Sequence, residues 1–280
     1  MLRVDSHLHV WRASSAAKPG VKTLVPPETD VRIALAATVL AEHHIDRAVL
    51  VQPVFPGEDN SYVAACARAE PDRFAAVCVV DPRIPGAEAR LEHWVERGCR
   101  GLRLRPRIAD EAGSFGDPTT FPLWEAAARL GVVVNVLSGP EHNATIAALA
   151  ERFPQVPIVV DHLGNPDVES GLHEEGFQIL LALGKLENIF VKLSGFYHFS
   201  REPFPYRDCW ELARAAYDAF GPMRLMWGSD FPHVTVACGY GRSLDALEYA
   251  LGPCPEVDAK CLLGRNALAL YWPAAANSGI

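Results

Sequence analysis

The sequence predicts a single-domain (β/α)8 TIM barrel with its active site at the C-terminal ends of the strands. Short β-branched runs alternate with Ala- and Leu-rich stretches of helical period along the whole chain. The 280 residues, divided among eight such units, give about 35 each, the size of one strand–helix unit of that barrel. The strands read as near-continuous Val, Ile and Leu, the pattern of a parallel sheet covered by helices on its outer face. No Gly-x-Gly-x-x-Gly follows any strand, which argues against a doubly wound dinucleotide-binding sheet.

In chain order, strands are expected over Leu2–Trp11, Arg47–Pro53, Phe74–Asp81, Cys99–Arg105, Val132–Ser138, Pro157–His162, Ile189–Ser194 and Arg224–Gly228. Helical patterns occupy 31–43, 61–69, 85–97, 121–130, 142–152, 174–187 and 208–220, with further helices near 241–250 and 256–270. Asp30 and Asn60 stand where N-caps are expected, and Gly98 and Gly131 where helices should end. The longest irregular segments are 12–29, 106–120 and 195–207, and the first should lie over the top face of the barrel. One domain is expected over 1–273, with 274–280 as a flexible tail.

Composition narrows the class. An apolar content of 49% with 21% charged residues describes a soluble globular chain with ample core. The net charge of −8 argues against nucleic acid or an anionic membrane as partner. No run approaches the ~18 apolar residues of a membrane span, and no apolar leader precedes Leu2, so a cytoplasmic location is expected. The seven cysteines, an odd number without Cys-x-x-Cys, suit reduced thiols rather than a disulfide framework or zinc ribbon. A homo-oligomer is left open.

Polar residues at the strand ends are what the fold alone does not explain, because inward charges on apolar strands are costly unless paired or used. His7 and His9 stand two apart on strand one and share a face. Two imidazoles at one point bind a metal or polarise a carbonyl. Strand two offers Gln52, whose plainer reading is a satisfied interior amide. Strand four places Arg103 and Arg105 on one face with Arg107 just beyond. They are either a rim of salt bridges or a guanidinium cluster that grips a carboxylate. Strand six ends in Asp161-His162, readable as a hydrogen-bonded pair. Strand seven carries Lys192 and Ser194, with Lys192 a candidate counter-ion for Asp230. Strand eight ends in Trp-Gly-Ser-Asp230-Phe-Pro-His233.

The Asp5-x-His7-x-His9 opening, Asp161-His-Leu-Gly-Asn-Pro, Lys192-Leu-Ser-Gly and Trp-Gly-Ser-Asp230-Phe-Pro-His233 together resemble the amidohydrolase superfamily. More narrowly they resemble its amidohydrolase-2 branch, near the 2-pyrone-4,6-dicarboxylate and sugar-acid lactonases. The stretch Val-Leu-Val-Gln52-Pro-Val-Phe-Pro-Gly57-Glu-Asp59-Asn60 is similar to the same lactonase group, and the likeness spans nearly the whole chain. It implies hydrolysis of a small carboxylated lactone, with Asp230 as general base and His7, His9 and His162 polarising the ring carbonyl. Arg103 aligns with the branch's carboxylate-binding arginine. Arg105, Arg107, Arg207, Gln52, Lys192, Tyr197 and His233 are the further substrate-binding candidates, with His198 beside Tyr197.

Metal-dependent members of the superfamily take ligands from strand one, from a carboxylated lysine or glutamate on strand four, from histidines on strands five and six, and from the strand-eight aspartate. Here strand four offers Arg105, which cannot ligate, and strand five, Val134–Ser138, has no histidine. Two metals are therefore excluded and no metal is expected. One zinc on His7, His9, His162 and Asp230 is the alternative. The alternative activities are a mononuclear zinc-dependent decarboxylase and a lactone isomerase.

Overall fold

The computed structural model describes residues 2–13, 23–55, 57–106 and 114–273. Arg107, residues 14–22 of segment 12–29 and the tail 274–280 lie outside them. The eight strands are β1 (Val4–Leu8), β2 (Arg47–Val51), β3 (Phe74–Val79), β4 (Cys99–Leu104), β5 (Val133–Val136), β6 (Ile158–Val160), β7 (Ile189–Leu193) and β8 (Leu225–Trp227). They pair in sequence order, every pair parallel. Helices such as Ile33–Glu42, Ser61–Ala69, Ala87–Glu96 and Trp210–Phe220 fill the crossovers. The result is a nearly closed (β/α)8 barrel.

Two apolar layers hold it. Inside the barrel, Val4, Val49, Val51, Ala75, Val77, Val133, Val159 and Met226 pack on Ala267, Leu268 and Tyr271 from the last helix, Asn266–Tyr271. Outside, the alternate strand residues meet the buried stripes of the helices. Asn135, midway along β5, exchanges hydrogen bonds of 2.9 and 3.0 Å with the Tyr271 hydroxyl, which satisfies a polar pair inside the barrel.

Several expected boundaries shift. The segment expected as one helix over 256–270 is Glu256–Lys260, a π-helical turn Cys261–Arg265 and Asn266–Tyr271. Asp30 caps nothing: the first helix starts after Arg32, and Asp30 accepts from the Ala13 amide at 3.2 Å. Asn60 precedes its helix but its side chain does not cap it. Its Oδ1 accepts from the Val79 amide and its Nδ2 donates to the Val79 carbonyl, pinning the end of β3. Segment 195–207, expected to be irregular, opens with a short helix, Phe196–Phe199. No helix among the described residues is long and apolar enough to cross a membrane.

Candidate active site

β8 closes onto β1 through a parallel bridge between Leu8 and Phe231. The His9 amide donates to the Phe231 carbonyl at 2.7 Å and the Asp230 amide to the His7 carbonyl at 2.8 Å. Asp5 secures the same seam. Its carboxylate accepts from the His7 amide (3.0 Å), the Ser229 amide (2.9 Å), the Ser229 hydroxyl (2.5 Å) and the Tyr240 hydroxyl (2.8 Å). Gly228 is required here, because a Cβ at that position would stand 2.7 Å from the His7 Cβ. The β1–β2 register shifts between Asp5 and Leu8, a bulge that re-aims the histidines.

The two histidines end in a tight cluster. His9 Nδ1 lies 2.7 Å from the Val51 carbonyl, which only accepts, so the neutral ring carries its proton there and leaves a lone pair on Nε2. That Nε2 stands 3.3 Å from His7 Nε2 and 3.1 Å from Asp230 Oδ1, while His7 Nε2 is 3.7 Å from the same oxygen. Asp230, at a left-handed φ of 59°, accepts on Oδ2 from Tyr197 (2.5 Å) and His198 Nε2 (2.8 Å). Its Oδ1 is buried without a hydrogen bond among the described residues. Burial alone would raise the Asp230 carboxyl. His162 and the bond from His198 override this and hold it well below the usual carboxylate range. Burial, with Asp230 beside it, raises Tyr197 and keeps it a donor.

His162 lies in a run of left-handed residues, with Leu163, Gly164 and Asn165, just past β6. Such backbone costs about 1–3 kcal/mol per non-Gly residue and gathers at functional sites. The His162 ring pairs with Ser194 at 2.9 Å, not with Asp161. Burial pulls His162 down to about 3 and His233 down to about 4, so both are neutral near pH 7. Gly195, φ 66°, lets β7 turn beneath this ring, since a Cβ there would come 2.6 Å from His162 Nδ1.

Beneath lies a second charge cluster. Asp161 is approached by Lys192 Nζ at 3.0 Å, Arg103 Nε at 3.1 Å and His7 Nδ1 at 3.3 Å. Burial opposes the Asp161 charge, but Lys192, His7 and Arg103 hold the carboxyl well below its usual range. Lys192 is therefore the counter-ion of Asp161 and not of Asp230, as the barrel stagger sets β7 against the end of β6.

These elements frame a cavity of about 430 Å³. One wall is apolar, from Leu24, Pro53, Val54, Phe55 and Leu137; the other presents His9, Arg103, His162, His198, Asp230 and His233. Of the other residues expected at the site, His7 and Lys192 are fully buried behind this wall. Gln52 is buried and donates to the Asp59 carbonyl. Tyr197 reaches the site through Asp230, Arg105 is half-buried at the end of β4, and Arg207 is exposed on a turn away from the cavity lining. Asp5, Ser194 and Tyr240 support the site without lining the cavity. Asp5 and Ser194 stood in the strand-one and strand-seven motifs, whereas nothing in the sequence signalled Tyr240.

Donor atoms of His7, His9 and Asp230 lie within 4.8 Å of one another, as do those of His162, His198 and Asp230. Either set allows a divalent cation, three protein ligands being enough for a zinc that keeps a water. Residues 4–272 match the Amidohydrolase family. The chain belongs to that family. This amidohydrolase is 30% identical over 250 residues to the L-fucono-1,5-lactonase of Burkholderia ambifaria, covering 85% of this chain and 83% of that one. It is 27% identical to the 2-pyrone-4,6-dicarboxylate hydrolase of Comamonas testosteroni, over 96% and 90% of the two chains. A crystal structure of a Burkholderia multivorans amidohydrolase with bound zinc superimposes with a TM-score of 0.81 at 25% identity, over 97% and 99% of the chains. The family and the site together make this chain an enzyme.

Proposed function

We propose that this amidohydrolase hydrolyses a small lactone bearing a carboxylate, by attack of a water that Asp230 deprotonates. One observation carries the reading. Asp230 is an ionised carboxylate at the cavity wall, with Oδ2 held by two donors and Oδ1 unpaired beside the His9 lone pair. A water at that point gives its protons to Oδ1 and His9 and is aimed into the cavity. His9 and His162 border the space where a ring carbonyl would sit, with His7 directly behind His9. In this reading His162 stabilises the oxyanion as the ring opens, while His9, with its proton on Nδ1, accepts from the water. Arg103 receives the substrate carboxylate; of the relatives, the L-fucono-1,5-lactonase acts by name on a lactone and the 2-pyrone-4,6-dicarboxylate hydrolase on one that bears carboxylates.

The proposed reaction needs no metal. A zinc on His7, His9 and Asp230 would supply a Lewis acid and a more acidic water, but the Arg103 and Lys192 cations nearby oppose a dication. Assays over a panel of carboxylated lactones test the activity. Turnover by the native protein and a loss of about 10²–10⁴ in kcat for Asp230→Asn are expected; full rate in the variant would remove Asp230 from the role. Metal content, with activity before and after a chelator, tests the metal-free step. One tightly held zinc whose removal abolishes turnover would overturn it.

A further inference from the structure

We propose that Lys192 fixes His7 in the tautomer that carries its proton on Nε2, which wires the strand-one histidines as a hydrogen-bond chain rather than a two-nitrogen chelate. Lys192 Nζ lies 3.1 Å from His7 Nδ1 and 3.0 Å from Asp161 Oδ1, and Lys192, His7 and Asp161 are all fully buried. Paired with that carboxylate, Lys192 is an ammonium, which donates and never accepts. Nδ1 of His7 must then accept, and the ring proton sits on Nε2. There it faces the lone pair of His9 Nε2 at 3.3 Å, whose own ring proton is fixed on Nδ1 by the Val51 carbonyl. Every proton from Lys192 to Val51 is thereby assigned.

A metal ligand needs the opposite arrangement, a lone pair on His7 Nε2 with Nδ1–H turned to a carboxylate, as in the carboxylate–histidine–metal triads of zinc enzymes. That carboxylate is present: Asp161 Oδ1 is 3.3 Å from His7 Nδ1. Lys192 competes with it for the same nitrogen. The lysine is thus a positioning residue that decides whether the pair donates a proton or chelates a cation. Its effect on catalysis rests on the lactonase reading, whereas tautomer and metal affinity are read without substrate and stand or fall separately.

The experiment is ¹⁵N correlation spectroscopy of the histidine rings in the full-length protein, with zinc titration of the native chain and of Lys192→Met. In the native chain the His7 signals should report a protonated Nε2 and a bare Nδ1. In Lys192→Met the proton should move to Nδ1, and zinc affinity should rise by at least about tenfold, the lower end of what such outer-sphere partners contribute. A native His7 protonated on Nδ1 would overturn the proposal, as would a Lys192→Met protein that binds zinc no more tightly than the native one. Should that variant fail to fold, the native spectrum alone decides.

Discussion

Arg103 is the position where charge recognition and protein architecture can be separated. Its Nε is committed to Asp161 at 3.1 Å, yet the residue lines the cavity, so the guanidinium serves the protein with one edge and the ligand with the other. A lysine's three donors share one nitrogen, so it cannot present separate edges to Asp161 and to the ligand as the planar fork does. Arg103→Lys keeps the positive charge beside Asp161 and loses the fork, which removes one charge-assisted hydrogen bond to a bound carboxylate, worth about 1.5–3 kcal/mol. At 1.4 kcal/mol per factor of ten, KM should rise by roughly ten- to a hundredfold, with kcat changing only a few-fold. The assay compares steady-state kinetics on a carboxylated lactone and its methyl ester. The native protein should prefer the acid, and the variant should lose most of that preference while its activity on the ester is preserved. An equal rise in KM for acid and ester would show that the substitution merely disturbed the site. An unchanged KM for the acid would refute carboxylate binding by Arg103.

Three further outcomes are expected. Tyr240→Phe removes one of the four hydrogen bonds to Asp5 and should lower stability by about 1–3 kcal/mol, seen as a few degrees in Tm, with kcat/KM unaltered. Gly195→Ala places a Cβ 2.6 Å from His162 Nδ1 at a left-handed φ of 66°, so His162 must move. A drop of roughly ten- to a hundredfold in kcat should follow in a folded protein, checked by activity alongside circular dichroism. Burial holds His7, His162 and His233 below the histidine range, while Asp161 and Asp230 sit below the carboxylate range. The unfolded chain then binds more protons than the folded one, first below about pH 6.5 and again below about pH 4. Stability is complete above pH 6.5 and falls as pH drops, so urea midpoints should decrease from pH 7.5 to pH 5; an increase would contradict the buried neutral histidines.

The barrel was legible because its strands are apolar on both faces and its helices amphipathic, signals that survive in a single sequence. All eight strands lie within their expected windows. His9, Arg103, His162, Asp230 and His233 could be placed at one mouth because strand ends in this fold converge. The pairings were not legible. Lys192 faces Asp161 rather than Asp230, and His162 bonds Ser194 rather than its sequence neighbour, because the stagger of the barrel decides which residues meet. Arg207 looked like a carboxylate ligand by type alone, and the loop carries it out to solvent. Asn60 has the residue type of a cap, yet its amide is used across the sheet.

Three buried carboxylates near one barrel mouth show why residue type alone could not name the base. Asp5 is saturated by four donors, and burial still raises its carboxyl above the usual value; it joins β1 to β8 and has no valence to spare. Asp161 is flanked by Lys192 and Arg103, so its charge is spent on holding those two cations in place. Asp230 alone of the three borders the cavity, where one of its oxygens is held by two donors and the other has no hydrogen bond among the described residues. An unpaired buried carboxylate oxygen costs several times more than an ordinary lost hydrogen bond unless something bearing a proton or a positive charge meets it. The fold therefore creates, at Asp230 Oδ1, a demand for a water or a cation. The proton on His7, set by Lys192, decides which of the two answers it.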